Sequence, residues 1–282
     1  MAEAIERDTQ GALILEVHPE SRLGPDPQMF ADVQAGKLEF YLSGATLGGV
    51  APTSALPLLP YAFTSSAAVF AALDGSLGAV IRDELAAAGL HAFRHSLQNG
   101  FHHITTSNRP ICSADDFTGL RIRSPGGAIA GDFFRTFGAE AGMVPFSDMY
   151  DALKEKRFDG QSDPHQVALA LRLYEVQTYV SLTAHWWSGF TLLANAGAWA
   201  WLPADIQWVV ERNVEGFAKR QRTDIERVNA EGEAVLAGQG MEIHQADTGS
   251  IRSKLGLFYA RWKAKFPAAT WRTLEAHADG LG

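Results

Sequence analysis

Three residues whose side chains could contact a ligand stand at the ends of three predicted strands: Arg123, Phe146 and Asp163. A guanidinium at the end of a strand can hold a carboxylate through two parallel hydrogen bonds. Structural roles explain the same residues equally well. Arg123 could form a structural salt bridge, Phe146 could belong to the core, and Asp163 could cap a helix. The local pattern leaves both interpretations open.

The segment that carries these residues, 119–164, predicts alternating strands and helices. Ile129, Phe133 and Phe137 recur every four residues, which is typical of a helix with one apolar face. Strands are predicted at 120–123, 142–146 and 158–162. Strands joined by helices in this way run parallel, with right-handed crossovers. Since ligands of open parallel sheets bind beyond the carboxyl ends of the strands, Arg123, Phe146 and Asp163 are candidate site residues.

The rest of the chain continues the alternation, so the sequence predicts an α/β protein. Further strands are predicted at 12–17, 38–42, 90–95, 101–106, 180–184, 190–195 and 240–244. Helices are predicted at 28–35, 66–75, 77–88, 164–179, 203–237, 251–265 and 267–281. The helix at 203–237 would be about 50 Å long.

Composition excludes several classes of function. The net charge is −8 and no basic block occurs, which argues against nucleic-acid binding. The hydrophobic fraction is 46% and the charged fraction 20%, as in soluble globular proteins. The only cysteine, Cys112, cannot form an intrachain disulfide. No apolar run reaches the roughly 18 residues that a membrane helix needs.

Motifs for nucleotides, metals and nucleophilic catalysis are not found in the sequence. The glycine-rich stretch at 43–49 lacks the phosphate-loop spacing, and no nucleophile elbow occurs. His91, His95, His102 and His103 have no third ligand at a suitable spacing. We therefore predict no metal, no cofactor and no enzymatic activity.

Two ordered motifs carry a family resemblance. LRIRSP, then a helix, then PFSDMYDALKEKRFDGQSDP closely resembles the solute-binding proteins of TRAP transporters, the DctP type. Supporting matches are LGPDPQMFADVQAGKLEF and LPLLPYAF upstream and WLPADIQWVVERNVEGF downstream. The resemblance extends over the chain from about residue 13.

The resemblance implies a two-lobed, type II-like periplasmic-binding-protein fold with a long helix spanning both lobes. Lobe I is expected at 1–100 plus 190–228 and lobe II at 101–189 plus 229–282, with the ligand cleft between them. The implied function is that of an extracytoplasmic receptor, which binds a small organic acid and delivers it to the membrane permease subunits of a TRAP transporter. The alternatives are a ligand-sensing subunit of a signalling system and an enzyme on the same fold.

The resemblance also assigns roles to residues. Arg123 matches the arginine that pairs with the ligand carboxylate, and Phe146 matches the aromatic residue that packs on the ligand. Asp163 stands where asparagine is usual, and an ionised carboxylate only accepts hydrogen bonds and would repel an acid. We therefore expect a hydroxyl- or amine-bearing substrate or a raised pKa of Asp163. His103 aligns with a position where some members carry a second arginine.

Four further residues are expected at the cleft. Trp186 and Trp187 fall at the chain's return hinge and could form an aromatic wall, although a place in the core is the alternative. Ser43 and Thr46 fall in the loop that lines the lobe I side, where their alternative role is turn formation.

The N-terminus departs from the family. MAEAIERDTQ has no apolar core of a signal peptide, and the resemblance implies that the first strand and helix of lobe I are missing. A truncated N-terminus or a miscalled start is the expectation, with a periplasmic location inferred from the family.

Overall fold

The computed structural model describes residues 1–124, 127–278 and 281, and their side chains except those of Ala45 and Thr46. Its strands are β1 (Phe40–Ser43), β2 (Leu90–Ala92), β3 (Leu97–Phe101), β4 (His103–Thr106), β5 (Arg121–Arg123), β6 (Glu140–Gly142), β7 (Gly160–Asp163), β8 (Tyr179–Leu182), β9 (Trp187–Asn195) and β10 (Glu242–Gln245).

The α-helices cover most of the remaining chain. They are α1 (Ala2–Asp8), α2 (Asp26–Gln34), α3 (Ser66–Leu73), α4 (Ser76–Ala87), α5 (Ala128–Thr136), α6 (Met149–Lys154), α7 (His165–Ala170), α8 (Ala196–Trp201), α9 (Ala204–Gly238), α10 (Thr248–Ser253), α11 (Gly256–Lys263) and α12 (Ala268–Glu275). None of the helices in the described ranges combines the length and the apolar character needed to cross a membrane.

The chain divides into two compact units. The first contains Met1–Ser54, Phe70–Gln98 and Gly189–Asp224, and the second contains Ala55–Val69, Asn99–Ser188 and Ile225–Gly282. Residues 55–69, assigned to lobe I from the sequence, group here with the second unit.

In the first unit, β9 is the central strand of an antiparallel sheet. β1 and β2 pair with its two sides, and β3 also pairs with β9. The core against this sheet includes Ile5, Phe93, Leu192, Trp199 and Val210, all buried. Helix α1 therefore anchors the N-terminus through Ile5, although the sequence analysis predicted no element there.

The strand predicted at 12–17 does not form. The segment joins neither sheet, and it lies extended with Leu13 and Leu15 packed against the core of the first unit. Ile14 and Val17 point to solvent. The apolar side chains of this segment pack against the core without forming a strand. A strand also requires a neighbouring strand that accepts and donates backbone hydrogen bonds.

In the second unit, a mixed sheet runs in the order β10-β8-β4-β7-β5-β6. β5 is parallel to both β6 and β7, which confirms the predicted parallel arrangement of segment 119–164. β4 is antiparallel to its neighbours β7 and β8. The register places Arg123 beside Gln161 and Asp163 beside His103.

Two groups of apolar residues pack in the second unit. One core cluster consists of Met149, Leu153, Val167, Ala168, Leu173, Val180, Leu236 and Met241. The other contains the apolar face of α5. Phe133 and Phe134 of that face pack on Phe117 and Trp186 at ring distances of 5.3–6.2 Å.

Several predicted elements differ in position or extent. The strand predicted at 142–146 is wrong in position: β6 covers Glu140–Gly142, and the two ranges share only Gly142. The helix predicted at 164–179 ends at Ala170, and Arg172 takes a left-handed conformation with φ of 53°. The helix predicted at 251–265 is divided into α10 and α11.

The long helix predicted at 203–237 is confirmed as α9. Its residues up to Asp224 belong to the first unit, and those from Ile225 belong to the second.

Candidate functional site

The guanidinium of Arg123 lies at the carboxyl end of β5, and its side chain is only 5% exposed. Its Nη1 donates to Oδ2 of Asp163 at 2.8 Å, and its Nη2 donates to the carbonyl of Val144 at 3.4 Å. Its Nε is buried and has no hydrogen-bond partner among the described residues. The cation predicted to hold a ligand carboxylate is therefore already paired with a carboxylate of the chain.

Asp163 ends β7, and its side chain does not cap the helix that follows. The N-cap residue of α7 is Pro164, without a side-chain capping bond, so the capping alternative for Asp163 is wrong. Its carboxylate instead points to Arg123 and is 6% exposed. Burial raises the pKa of Asp163 to about 6, while the charge and hydrogen bond of Arg123 act in the opposite direction. This agrees with the expected rise in its pKa.

His103 and His165 stack next to this pair. Their rings lie 4.3 Å apart with an interplanar angle of 13°. Nδ1 of His103 accepts from the backbone N–H of Ala184 at 3.3 Å, so the ring carries its proton on Nε2. Nδ1 of His165 faces the carbonyl of Asn229 at 3.2 Å, which leaves its buried Nε2 as an acceptor without a partner in the described structure. Burial lowers the pKa of both histidines, and both are therefore neutral.

A buried chain of hydrogen bonds, which the sequence analysis missed, lies in the same unit. Its successive members are Thr183, His185, Ser162, His102, Ser188, Asn99 and Gln166. The distances between neighbours run from 2.6 to 3.1 Å. The two histidines in this chain are completely buried.

Hydrogen bonding and burial fix the state of these histidines. Nδ1 of His102 lies 3.1 Å from the carbonyl of Ser162 and therefore donates, so Nε2 accepts from the hydroxyl of Ser188 at 2.7 Å. Burial lowers the pKa of His102 to about 3 and the pKa of His185 well below its usual range. The only sequence signal was the occurrence of histidines beside strand ends, because their partners Ser162 and Ser188 lie 23 to 86 residues away.

The aromatic candidates differ in their surroundings. Trp186 is enclosed by Phe133, Phe134 and His185, which favours the core alternative for its indole. Trp187 begins β9 and is also buried. Phe146 opens a single 3-10 turn, Phe146–Asp148, and is 49% exposed, so its ring is not part of the core.

Of the two candidate residues in the first unit, Ser43 and Thr46, the structure describes the side chain of Ser43 only. Ser43 ends β1 and is fully buried, with its backbone in register with Thr191 of β9. The side chain of Thr46 lies outside the described residues. The loop itself forms a short 3-10 helix at Ala45–Gly49.

Within residues 1–124, 127–278 and 281, no three histidine, cysteine, aspartate or glutamate side chains are grouped so that they could hold a metal ion. His95, one of the histidines considered for metal binding, lies 3.1 Å from Asp74 and 3.6 Å from Glu215. The second unit instead brings together Arg123, Asp163 and His103, each from a different strand of its sheet.

Comparisons with known proteins agree with the fold and the order of the motifs. A family model described as bacterial extracellular solute-binding protein, family 7 (DctP), matches residues 1–265. The 2,3-diketo-L-gulonate-binding periplasmic protein YiaO of Escherichia coli (strain K12) is 28% identical over 77% of this chain. The match covers 66% of that relative, just under two thirds of its length. The C4-dicarboxylate-binding periplasmic protein DctP of Rhodobacter capsulatus is 27% identical over 85% of this chain and 71% of its own.

A solved structure shows the same fold. The crystal structure of a TRAP periplasmic solute-binding protein from Polaromonas sp. JS666, bound to D-erythronate, has a TM-score of 0.92 to this chain and is 26% identical. The match covers all of this chain and 92% of the other. The family match over residues 1–265 and the shared fold lead to one conclusion: this chain belongs to the bacterial extracellular solute-binding proteins of family 7.

Proposed function

We propose that this chain is an extracytoplasmic receptor for a small organic acid, and that Arg123 binds the acid's carboxylate. The observation that carries the proposal is the Arg123–Asp163 contact. A carboxylate oxygen already sits 2.8 Å from Nη1 of a buried guanidinium at the carboxyl end of a parallel strand. That position accommodates the chemical group the receptor must recognise.

Polar groups around Arg123 favour a hydroxylated acid. Oε1 of Gln161, which is in register with Arg123, is buried without a hydrogen-bond partner among the described residues, and so is the hydroxyl of Ser124. Leaving such groups unpaired costs about 1–3 kcal/mol each. Ligand hydroxyls would satisfy them. The relative named for 2,3-diketo-L-gulonate and the structure bound to D-erythronate also concern sugar-derived acids.

The remaining site residues belong to this proposal as predictions. Phe146, half exposed in the second unit, is placed to cover the apolar part of a ligand. We further propose that the protein acts in the periplasm, releases the acid unchanged and delivers it to the permease subunits of a TRAP transporter. The family description as extracellular solute-binding protein supports this assignment.

A thermal-shift screen tests the proposal. The panel contains D-erythronate and other aldonates, uronates such as D-glucuronate, and succinate as a dicarboxylate without hydroxyls. An acid at 100 times its Kd stabilises the folded chain by about 2.7 kcal/mol, which corresponds to a rise in Tm of about 5–10 °C. We expect the largest shift from a hydroxylated monocarboxylate. If no acid raises the Tm and calorimetry detects no binding, the proposed function is wrong.

Mass spectrometry separates a receptor from an enzyme. After incubation with the protein, the bound acid should be recovered with unchanged mass and in stoichiometric amount. A product that accumulates beyond one equivalent of protein would contradict the receptor assignment.

A further inference from the structure

Asp163 occupies the guanidinium that an acid ligand needs. The two side chains are 5% and 6% exposed and Nη1 meets Oδ2 at 2.8 Å, so a ligand carboxylate that used Nε or Nη2 would share one buried guanidinium with Asp163. Two ionised carboxylates on one buried guanidinium would repel each other strongly in this low-dielectric environment. An incoming acid must therefore change either the position or the charge of Asp163.

Among the residues that the structure describes, the groups that face Asp163 offer no second cation. Arg123 approaches from β5, His103 faces it from β4, and His165 stacks on His103 from α7. Both histidines are neutral because burial lowers their pKa. Behind them, His102 and His185 are neutral for the same reason, and Glu233 of α9 acts on His165 with a further negative charge. Within the described part of these elements, Arg123 is thus the one permanent positive charge that contacts Asp163.

We propose that Asp163 is an internal carboxylate that competes with the ligand for Arg123, and that an acid anion binds together with one proton, which Asp163 takes up as it leaves the guanidinium. This inference rests on the proposed function, since it specifies how the same site accepts its acid. It makes Asp163 a specificity-determining residue: a neutral carboxyl can donate its O–H to a ligand oxygen, which an ionised one cannot do.

The charges balance in this exchange. The ligand carboxylate replaces the Asp163 carboxylate on Arg123, and one proton from the solvent converts Asp163 to its neutral acid. No net charge is added to the buried site. In the unliganded chain burial raises the pKa of Asp163 to about 6, and the two influences that hold it down both come from Arg123. When the ligand engages Arg123, those influences weaken, so the pKa of Asp163 rises further.

The pH dependence of acid binding follows from this rise in the pKa of Asp163. Below pH 6 Asp163 is already protonated in the unliganded chain, and binding should take up no proton. Above pH 6 binding should take up about one proton, and the affinity should weaken by about tenfold per pH unit. The opposite model, in which ionised Asp163 stays in place and accepts a ligand hydroxyl, predicts neither effect.

Isothermal titration calorimetry between pH 5 and pH 8 measures both quantities. D-erythronate is the first probe, and the panel acid with the largest thermal shift is the second. At each pH, titrations in two buffers that have a pKa near that pH and differ in ionisation enthalpy count the protons taken up. We expect about one proton at pH 8 and none at pH 5. Binding with a constant Kd and no proton uptake overturns the inference and leaves the proposed function standing. Failure of every acid to bind overturns both.

The Asp163→Asn variant tests whether Asp163 is the group that takes up the proton. The amide keeps an oxygen for Arg123 but cannot ionise, so acid binding should lose its pH dependence and become tighter at pH 8 than in the parent chain. The matched control is Asp159→Asn, which alters the Asp159–Arg121 pair at the start of the same two strands. The control should keep the proton uptake of the parent. Proton uptake that persists in Asp163→Asn overturns the inference.

A spectroscopic measurement on the parent chain covers the case in which Asp163→Asn does not fold. Infrared difference spectra at pH 8, recorded with and without the acid, should gain the C=O band of one protonated carboxyl group. If this band does not appear on saturation with a bound acid, the inference is wrong.

Discussion

At the scale of single residues, the Arg123–Asp163 pair dominates the second unit. The family resemblance assigns a ligand carboxylate to Arg123, and the structure shows a chain carboxylate there instead. Burying two charges is costly, and such a pair often contributes little net stability. A pair of this kind is therefore better explained by what it does to binding than by what it does to folding.

Arg123→Ala should weaken acid binding strongly. Removing one member of a buried charge pair costs about 2–5 kcal/mol, so the Kd measured by calorimetry should rise by about 30-fold or more. Arg121→Ala is the matched control, because Arg121 lies on the same strand but is exposed and pairs with Asp159. Its Kd should stay close to that of the parent. Equal affinity in Arg123→Ala and Arg121→Ala would contradict the role of Arg123.

The Asp163→Ala variant tests how much the Arg123–Asp163 pair contributes to the stability of the fold. The truncation leaves Arg123 buried without a partner, and we expect the free energy of unfolding at pH 7 to fall by about 3–5 kcal/mol. Asp163→Asn should cost less, because its amide oxygen still accepts from Nη1. Urea denaturation measures both changes. A larger loss in the asparagine variant than in the alanine variant would show that Nη1 does not depend on this acceptor.

At the scale of elements, α9 contributes to both compact units. Within the second unit it packs on α7 at one position where only glycine fits. A Cβ at Gly232 would lie 2.7 Å from Cβ of His165, which is too close for any real side chain. Since His165 stacks on His103, this contact also supports the candidate site.

Gly232→Ala should therefore destabilise the protein. The backbones of α9 and α7 must separate, which costs about 1–3 kcal/mol. Gly216→Ala is the matched control on the same helix, where the nearest atom to a new Cβ is the guanidinium nitrogen of Arg220 at 3.5 Å. That substitution should gain about 0.5–1 kcal/mol from the better helix propensity of alanine. Thermal unfolding of both variants gives the comparison, and a Gly232→Ala variant as stable as Gly216→Ala would contradict the close approach.

At the scale of the whole molecule, the buried neutral histidines control how stability depends on pH. The pKa values of His102, His103 and His185 all lie below the ordinary value of 6.5. The unfolded chain therefore binds more protons than the folded chain as the pH falls below 6.5. Stability is fully present above that pH and is lost during acidification. Asp163 has the opposite effect on stability between pH 4 and pH 6, because its folded pKa is raised, but it is one group against these three histidines together with His91 and His165, whose pKa values burial also lowers.

The free energy of unfolding should accordingly decrease between pH 7 and pH 5. Each neutral histidine contributes about 1.4 kcal/mol per pH unit once the pH is below its unfolded pKa. Urea titrations followed by tryptophan fluorescence measure the slope. His102→Gln should reduce the slope by about one proton. A stability that does not change between pH 7 and pH 5 would contradict the neutral state of these residues.

Local periodicity was sufficient to predict several elements. The alternation in segment 119–164 gave the parallel strands β5 and β7, and the long apolar period of 203–237 gave α9. These patterns are readable because each residue's environment depends on neighbours three or four positions away in a helix, or two in a strand. The position of Arg123 at the carboxyl end of a parallel strand follows from the same patterns.

The tertiary structure alone decided which polar side chains meet. Asp163 faces Arg123 rather than capping α7, and His102 and His185 both contact Ser162. These contacts form because the sheet brings together strands that are far apart in sequence. Residues 12–17 have the composition of a strand but no strand to pair with, and they pack without entering a sheet. Periodicity along the sequence determined the helices and strands that could be predicted. The pairing and burial of side chains determined the charge state of the site, because pairing and burial depend on neighbours that only the folded chain brings together.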